Sequence, residues 1–181
     1  MPISVALLRG INVGGRTTIA MSEVRELFDS LGFAGARTVL QSGNVIFDSG
    51  RHSGATLERF LERETAKRMQ RGFDYVVRSA ADWKRIVERN PFPNEAKNAP
   101  GQLVVLFLKT TPPADDVSAL EAAIQGPERI RHDGKQLYIV YPAGIGRSKL
   151  TGAAIEKRLG MRGTARNWNT VLKVAALCNA D

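Results

Sequence analysis

Two short segments near the end of the sequence concentrate side chains that bind anions. GIGRSK (144–149) and TARNWNTV (164–171) carry arginine, lysine, serine and asparagine side chains. An arginine guanidinium can bind two oxygens of one phosphate or carboxylate group, and a lysine ammonium adds a positive charge. The ligand-binding residues that we predict in these segments are Arg147, Ser148, Lys149, Arg166 and Asn167.

Two N-terminal segments have a related composition. GINVGGRT (10–17) and QSGN (41–44) are rich in glycine, asparagine and serine, and Arg9 interrupts the apolar run VALLRGI (5–11). An arginine in a buried strand is costly without a partner, so Arg9 could bind either a ligand or an internal acid. The ligand-binding residues that we predict here are Arg9, Asn12, Gly14, Gly15, Arg16, Ser42 and Asn44.

The common catalytic and cofactor motifs are missing from the sequence. GINVGG does not have the GxGxxG spacing of a dinucleotide site, and GIGRSK does not fit the GxxxxGK[ST] phosphate loop. No GxSxG nucleophile motif is present, and the two histidines have no metal-ligand spacing. Cys178, the single cysteine, lies on an apolar helical stripe and is expected to be inert core. We therefore assign no catalytic residue, no metal and no cofactor.

The elements that must position these segments follow from the spacing of apolar residues. The first half reads as a strand at 5–11, a helix at 21–31, a hairpin around QSGN, a helix at 57–69 and a strand at 73–79. An amphipathic helix containing Trp83 follows. This βαββαβ order is that of the ferredoxin-like split βαβ unit.

The second half repeats this order. It reads as a strand at 102–109, a helix at 117–124, a hairpin at Asp133-Gly134, a helix at 148–160 and a short strand at about 163–167. A terminal helix follows, with Trp168 in the core and Asn169 or Thr170 as its N-cap. The predicted fold class is α+β, with two ferredoxin-like βαββαβ units in tandem, each followed by an extra helix. The proline-rich segment NPFPNEAKNAP (90–100) is the expected linker between domains at 1–92 and 99–181.

Strand directions are expected to bring the polar segments together. In a βαββαβ unit, the loop after strand 1 and the turn between strands 2 and 3 lie at the same end of the sheet, so 10–17 should lie beside 41–44. The same rule places 144–149 beside 166–169. If the two ends face each other, one composite cleft results, and we expect Arg166 and Asn167 to face it.

GRSK (146–149) also precedes a predicted helix. It would place two cations in the first turn, against the helix dipole, and a bound anion would offset that cost. The alternative is that Ser148 is only the N-cap and that the two cations extend into water.

Charge distribution favours anionic partners. The formal net charge is +8, and the range 147–173 contains seven basic residues against Glu156 as its only acid. Such a field can attract a ligand or simply keep the protein in solution. The sequence has no pattern of a signal peptide or a membrane span, so we expect a cytoplasmic protein with no membrane partner.

Five motifs, in this order along the chain, resemble the bacterial domain-of-unknown-function 1697 family: LLRGINVGG, QSGNVIF, NPF, GRSK and TARNWNTV. The resemblance implies two α/β units of the ferredoxin-like kind and brings no established activity. The positions that carry the family motifs are Arg9, Gly10, Asn12, Gly14, Gly15, Ser42, Gly43, Asn44, Ser148, Lys149, Thr164, Arg166, Asn167, Trp168 and Thr170.

Three functions remain open at this point. The first is a cleft that binds a phosphate-bearing small ligand, such as a nucleotide, with or without catalysis. The second is nucleic-acid binding through the basic C-terminal region, although the strand aromatics of an RNA-recognition motif are missing. The third is a structural or interaction module, in which Arg9 and Arg166 would be buried in internal ion pairs.

Overall fold

The computed structural model describes residues 2–12, 18–33 and 35–179. Within them the chain forms seven α-helices and two four-stranded antiparallel sheets, which confirms the predicted α+β class. The chain divides into two compact units, Met1–Glu88 with Val174–Asp181 and Arg89–Lys173. The predicted domain boundaries at 1–92 and 99–181 stay a prediction.

The first unit is built around one sheet. In the described residues its elements are β1 (Ile3–Leu8), α1 (Met21–Ser30), β2 (Arg37–Val39), β3 (Asn44–Asp48), α2 (Gly54–Met69), β4 (Tyr75–Ser79) and α3 (Ala80–Glu88). The strand order is β2-β3-β1-β4, and every neighbouring pair is antiparallel. Strand β4 therefore lies at one edge of the sheet.

One face of this sheet packs on α1 and α2. The alternation of side chains along β1 places Ala6 and Leu8 on that face, where they join Phe28 of α1 and Leu61 of α2 in one buried cluster. Phe28 also contacts Phe47 of β3 edge to face, with ring centroids 4.9 Å apart. This packing fixes the ends of β1 and β3, where the polar N-terminal segments begin.

The second unit repeats the arrangement. Its elements are α4 (Pro93–Asn98), β5 (Leu103–Leu108), α5 (Ala114–Ala122), β6 (Arg129–Asp133), β7 (Gln136–Val140), α6 (Gly152–Leu159), β8 (Gly163–Asn167) and the start of α7 (Trp168–Cys178). The strand order is β6-β7-β5-β8, with antiparallel neighbours. Gly134 has φ +58° in the β6–β7 turn, as the predicted hairpin requires.

The sheet of the second unit packs on α5 and α6. Leu106 of β5 and Ile139 of β7 join Leu120 of α5 and Ile155 of α6 in one buried cluster. These contacts set the positions of two loops, 123–128 after α5 and 141–151 after β7. None of the helices in the described residues is long and apolar enough to cross a lipid bilayer.

The expected linker at 90–100 contains a helix. Pro93 stands in the first turn of α4, where the missing N–H of proline is no disadvantage. Glu95 of this helix forms an ion pair with Arg129 of β6, and the Arg129 guanidinium lies over the Phe92 ring at 5.3 Å from its centroid. The segment predicted as a linker therefore contains a helix at 93–98, which contacts with β6 hold although it has no apolar periodicity of its own.

Candidate functional site

Arg9 follows β1 and is held by the neighbouring strand segment. Its guanidinium lies 3.8 Å from the Asp74 carboxylate, and its backbone N–H donates to the Asp74 carbonyl at 3.0 Å. About a third of the Arg9 side chain is exposed. Of the two partners that the sequence left open for Arg9, an internal acid is present.

Asn12 joins three parts of the first unit through its side-chain amide. The amide nitrogen donates to the carbonyls of Ile19 at 3.0 Å and Gln41 at 2.8 Å, while the amide oxygen accepts from the Ile19 N–H at 3.0 Å. Asn12 thus clamps the two ends of the loop after β1 and ties them to the β2–β3 turn. Three other predicted residues, Gly14, Gly15 and Arg16, lie outside the described residues.

The QSGN turn packs against the end of β1, as the strand directions predict. The Leu8 N–H donates to the Gly43 carbonyl at 2.8 Å. Gly43 has φ +78° and lies so close to the Ile11 side chain that any added Cβ would clash with it. Asn44 is fully buried and donates to the Val39 carbonyl at 2.7 Å and to the Ser42 hydroxyl at 3.0 Å. These polar side chains hold the backbone of the turn.

The GRSK segment does not open a helix. Helix α6 begins at Gly152, and its N-cap is Thr151, whose side chain accepts from the Ala154 N–H. The interpretation of Ser148 as N-cap, and of Arg147 and Lys149 as first-turn cations, is therefore wrong. Both Ser148 and Thr151 are good capping residues, and a long-range contact decides between them.

That contact joins Ser148 to Glu128 of the loop after α5. The Ser148 hydroxyl donates to the Glu128 carboxylate and accepts from the Leu150 N–H at 2.9 Å. The Tyr141 hydroxyl donates to the Leu150 carbonyl at 3.0 Å. Burial, and after it the negative charge of Glu128, raises the pKa of Tyr141 to about 12. The two loops are thereby held together.

A cleft of about 540 Å³ opens between these loops and α6. We call it the second-unit cleft. Its wall combines apolar side chains with three cations and one acid, among them Leu120, Ile124, Leu150, Arg147, Lys149, Arg158 and Glu128. The volume lies in the range of about 300–1,000 Å³ that is usual for small-molecule sites.

The three cations of the cleft have no carboxylate partner in the part of the chain that the structure describes. The ion pairs of the second unit join other residues, as in Arg131 with Glu121 and Arg89 with Asp133. Ordinary surface cations gain little from such pairs. Three like charges lining one concave surface nevertheless produce a positive field that is concentrated there.

Two charged residues of the cleft were not predicted from the sequence. Arg158 lies four residues after Ala154, so the helical period places both on the cleft side of α6. That period could have identified Arg158 once the loop after β7 was predicted to bind a ligand. Glu128 gave no signal, because it meets the GRSK loop only through a contact across 20 residues of sequence.

Arg166 and Asn167 do not line the second-unit cleft. Arg166 is 6% exposed and donates to the Thr164 hydroxyl at 2.7 Å and to the Ala165 carbonyl at 2.8 Å. Burial lowers its pKa to about 10, which still leaves the guanidinium charged at neutral pH. A ligand role for Arg166 and Asn167 stays a prediction.

Asn167 caps the terminal helix. Its side-chain oxygen accepts from the Thr170 N–H at 2.9 Å, and α7 begins at the next residue, Trp168, which is 3% exposed. The predicted core position of Trp168 is confirmed. The predicted caps, Asn169 and Thr170, are wrong, because the turn into the helix comes directly after β8 and places Asn167 at its first unpaired N–H groups.

The described residues contain no group of three histidine, cysteine, aspartate or glutamate side chains that could hold a metal ion. The cleft likewise presents no nucleophile with an adjacent base, since the Ser148 hydroxyl is not part of its wall. The arrangement can bind and orient an anion, and nothing in its geometry assigns a reaction.

The chain is similar to a family of proteins and to a protein of known structure. A family profile described as "Protein of unknown function (DUF1697)" matches residues 1–138. The structure is similar to that of the conserved bacterial protein SP0830 from Streptococcus pneumoniae, with a TM-score of 0.75 and 22% identity over 98% of this chain and 99% of that chain. This likeness shows a shared fold. No curated protein matches the chain.

Proposed function

The chain belongs to the DUF1697 family, which is described as of unknown function, and we propose that it binds a phosphate-bearing small ligand, such as a nucleotide, in the second-unit cleft. The observation that carries this proposal is the convergence of Arg147, Lys149 and Arg158 on one concave wall without a carboxylate partner among the described residues. A phosphate group would supply the missing negative charge.

The chemistry of the cations suits a phosphate. Arginine offers a planar fork of N–H donors that matches two phosphate oxygens, and lysine adds a compact charge with three donors. Arg147 and Lys149 are separated by one residue, and the contact of Ser148 with Glu128 holds the backbone between them. The cations therefore start from a fixed loop, which reduces the entropy that a ligand must overcome.

The rest of the wall suits a ligand with an apolar part. Leu120, Ile124 and Leu150 line the same cleft, and apolar surface of this kind stabilises a bound ligand by excluding water from both partners. Inorganic phosphate would leave this surface uncovered. A phosphate ester with a carbon body would cover it.

Two finer statements about the chain belong to the same proposal. We infer that both units are ferredoxin-like, supported by the βαββαβ order of each, by the central position of β1 and β5, and by a helix after each last strand. We also propose a cytoplasmic location, supported by the single cysteine, Cys178, which leaves no internal disulfide to form in an oxidising compartment.

The proposal is tested by calorimetric titration of the full chain in phosphate-free buffer. Inorganic phosphate, AMP and short RNA and DNA oligomers are titrated into wild type, Arg158→Ala and Lys157→Ala. Lys157 is the matched control, because it is an exposed cation next to Arg158 on α6 that does not line the cleft. We expect Arg158→Ala to weaken AMP binding about tenfold, the size of one charged hydrogen bond, and Lys157→Ala to change it less than about twofold.

Other outcomes would contradict the proposal. Equal losses in Arg158→Ala and Lys157→Ala would mean that net charge alone attracts the ligand. Binding of every oligomer with a steep loss between low and moderate salt would favour nucleic-acid binding through the basic region. No heat from any probe would favour a structural module.

A further inference from the structure

Glu128 is the one acid in the wall of the second-unit cleft, which it shares with three cations. Its carboxylate accepts a hydrogen bond from Ser148. Among the described residues, it forms no ion pair with Arg147, Lys149 or Arg158, although all line the same cleft. The acid is thus held by a neutral hydroxyl and keeps acceptor capacity for another donor.

The second oxygen of Glu128 lies against Gly126. A Cβ at position 126 would collide with Oε2, so glycine makes the space that this oxygen occupies. Gly126 and Glu128 both belong to the cleft wall. The carboxylate is therefore held by the hydroxyl donor on Oε1, while Oε2 lies beside the bare backbone of the loop.

The Ser148 hydrogen bond brings the acid, which is distant in sequence, next to the backbone that carries two of the cations. Ser148, which donates to Glu128, stands between Arg147 and Lys149, and consecutive Cα atoms are about 3.8 Å apart. A ligand that uses both kinds of group must carry its anionic group and its hydrogen-bond donors close together. A sugar phosphate has this arrangement, because its hydroxyls are a few bonds from the phosphate.

We propose that the second-unit cleft takes a nucleoside monophosphate and that Glu128 accepts hydrogen bonds from its ribose hydroxyls. This inference rests on the proposed phosphate site. The phosphate lies on the three cations, the ribose hydroxyls on the free acceptor sites of Glu128, and the base on the apolar wall. Carboxylates recognise ribose in other nucleotide sites through the same hydroxyl contacts. Glu128 is then the residue that distinguishes a nucleotide from inorganic phosphate.

The test compares three probes on wild type and Glu128→Gln. The probes are inorganic phosphate, AMP and 2′,3′-dideoxy-AMP, titrated into the full chain by calorimetry. The amide oxygen of the substituted side chain can still accept from Ser148, so the hydrogen bond between the two loops is kept while the negative charge is lost. We expect wild type to bind AMP about tenfold more tightly than dideoxy-AMP, as hydrogen bonds to a charged acceptor imply. Glu128→Gln should remove most of that difference and leave phosphate binding unchanged or tighter.

The wild-type comparison of AMP with dideoxy-AMP needs no variant, so it stands even if Glu128→Gln folds poorly. Equal affinity of wild type for the two nucleotides would overturn the role of Glu128 while leaving the phosphate site intact. AMP no tighter than inorganic phosphate would overturn the nucleotide class. Failure of all three probes to bind would refute the phosphate site itself, and the inference with it.

Discussion

Strands β4 and β8 lie at corresponding edges of the two sheets, and the comparison between them separates structural residues from candidate binding residues. Arg78 of β4 faces Val5 in register, and Arg166 of β8 faces Val105. Each arginine is 6% exposed, and each donates to the carbonyl of the residue before it. Arg166, for which the side-chain chemistry predicted a ligand role, thus has a counterpart in the first unit, at a position that the sequence did not mark.

The helix that follows each arginine is capped in a similar way. Ser79 accepts from the Asp82 N–H at 3.0 Å, and Asp82 accepts from the Ser79 N–H at 3.3 Å, a reciprocal capping box. In the second unit Asn167 accepts from the Thr170 N–H. An arginine followed by a capping residue and a helix is therefore a repeated structural device in the two units.

The two edges differ in how glutamates cover their N–H groups. In the first unit, Glu62 and Glu58 of α2 accept from the N–H groups of Tyr75 and Val77 at 3.0 and 2.9 Å. In the second unit, Glu156 of α6 accepts from the Gly163 N–H at 3.0 Å. An edge strand with uncovered N–H groups invites pairing with other chains. Two carboxylates from one long helix cover β4.

In the second unit a glycine occupies the helix position that corresponds to Glu58 of the first unit. Four residues before Glu156, one helical turn, stands Gly152, whereas four residues before Glu62 stands Glu58. Glycine has no side chain to accept from the next outward N–H of β8, that of the exposed residue Ala165. In the first unit two carboxylates accept from outward N–H groups of the edge strand, whereas in the second unit Glu156 accepts from the Gly163 N–H and residue 152 has no side chain that could do the same.

Glu58→Ala should produce the largest effect. Glu58 is 5% exposed, and its charge opposes the lowering of the Arg78 pKa that burial causes. Its loss leaves the Val77 N–H without its acceptor and removes a nearby counter-charge from Arg78, so we expect the free energy of unfolding to fall by about 3 kcal/mol. Urea denaturation measures this change.

Glu62→Ala is the matched control for that measurement. It removes the same side chain from the same helix, but Glu62 is only half-buried and its acceptor serves the Tyr75 N–H. We expect a loss of about 1 kcal/mol. Equal losses for Glu58→Ala and Glu62→Ala would show that the burial of Glu58 beside Arg78 adds nothing to the free energy of unfolding. The two glutamates of β4 would then be equivalent.

Much of the fold could be predicted because it depends on local patterns. The apolar spacing of α1 and α2, and the Asp133-Gly134 turn, act over a few residues, and the structure has these elements where they were expected. The start of α6 could not be predicted in this way. Ser148 and Thr151 are both suitable caps locally, and the bond of Ser148 to Glu128 depends on folding of the whole unit.

In the candidate site, too, local features could be predicted and long-range contacts could not. Arg147 and Lys149 could be recognised as cations in a glycine-rich loop, and they line the cleft. Asn12 and Asn44 have the same residue types as a binding loop, yet their amides bond to backbone carbonyls. Composition alone does not reveal which acceptors a side chain will meet. That information comes from the register of neighbouring strands.

Arg166→Ala should produce the next largest effect and tests whether the repeated arginine is structural. It removes a buried side chain and its bonds to Thr164 and Ala165, while relieving the cost of burying a charge. We expect a net loss of about 2 kcal/mol in the free energy of unfolding, with unchanged AMP affinity of the folded protein. Denaturation and calorimetry on the same samples measure both. If the free energy of AMP binding falls by more than the free energy of unfolding, Arg166 contacts the ligand.

Removing the caps should have a smaller effect that is similar in the two units. Ser79→Ala and Asn167→Ala each delete a side-chain acceptor at a helix N-terminus, which costs about 1 kcal/mol. Thermal unfolding followed by circular dichroism measures both variants. If Asn167→Ala leaves stability unchanged but weakens AMP binding, Asn167 contacts the ligand. The two units would then share the geometry of the cap but not its structural role.

Gly152→Glu should have an effect no larger than the loss of a cap, and it is the one change that should stabilise the protein. An added Cβ at position 152 meets nothing within 4 Å, and an acid at the first position of α6 interacts favourably with the helix dipole. The new carboxylate stands one turn before Glu156, as Glu58 stands before Glu62, and can accept from the Ala165 N–H. We expect a gain of about 1 kcal/mol from these terms together with the loss of glycine flexibility. Gly152→Ala, which adds only the side-chain constraint, is the control, and urea denaturation compares the two. If alanine stabilises as much as glutamate, the open position on β8 does not take an acceptor, and the two edges differ for a reason other than the missing carboxylate.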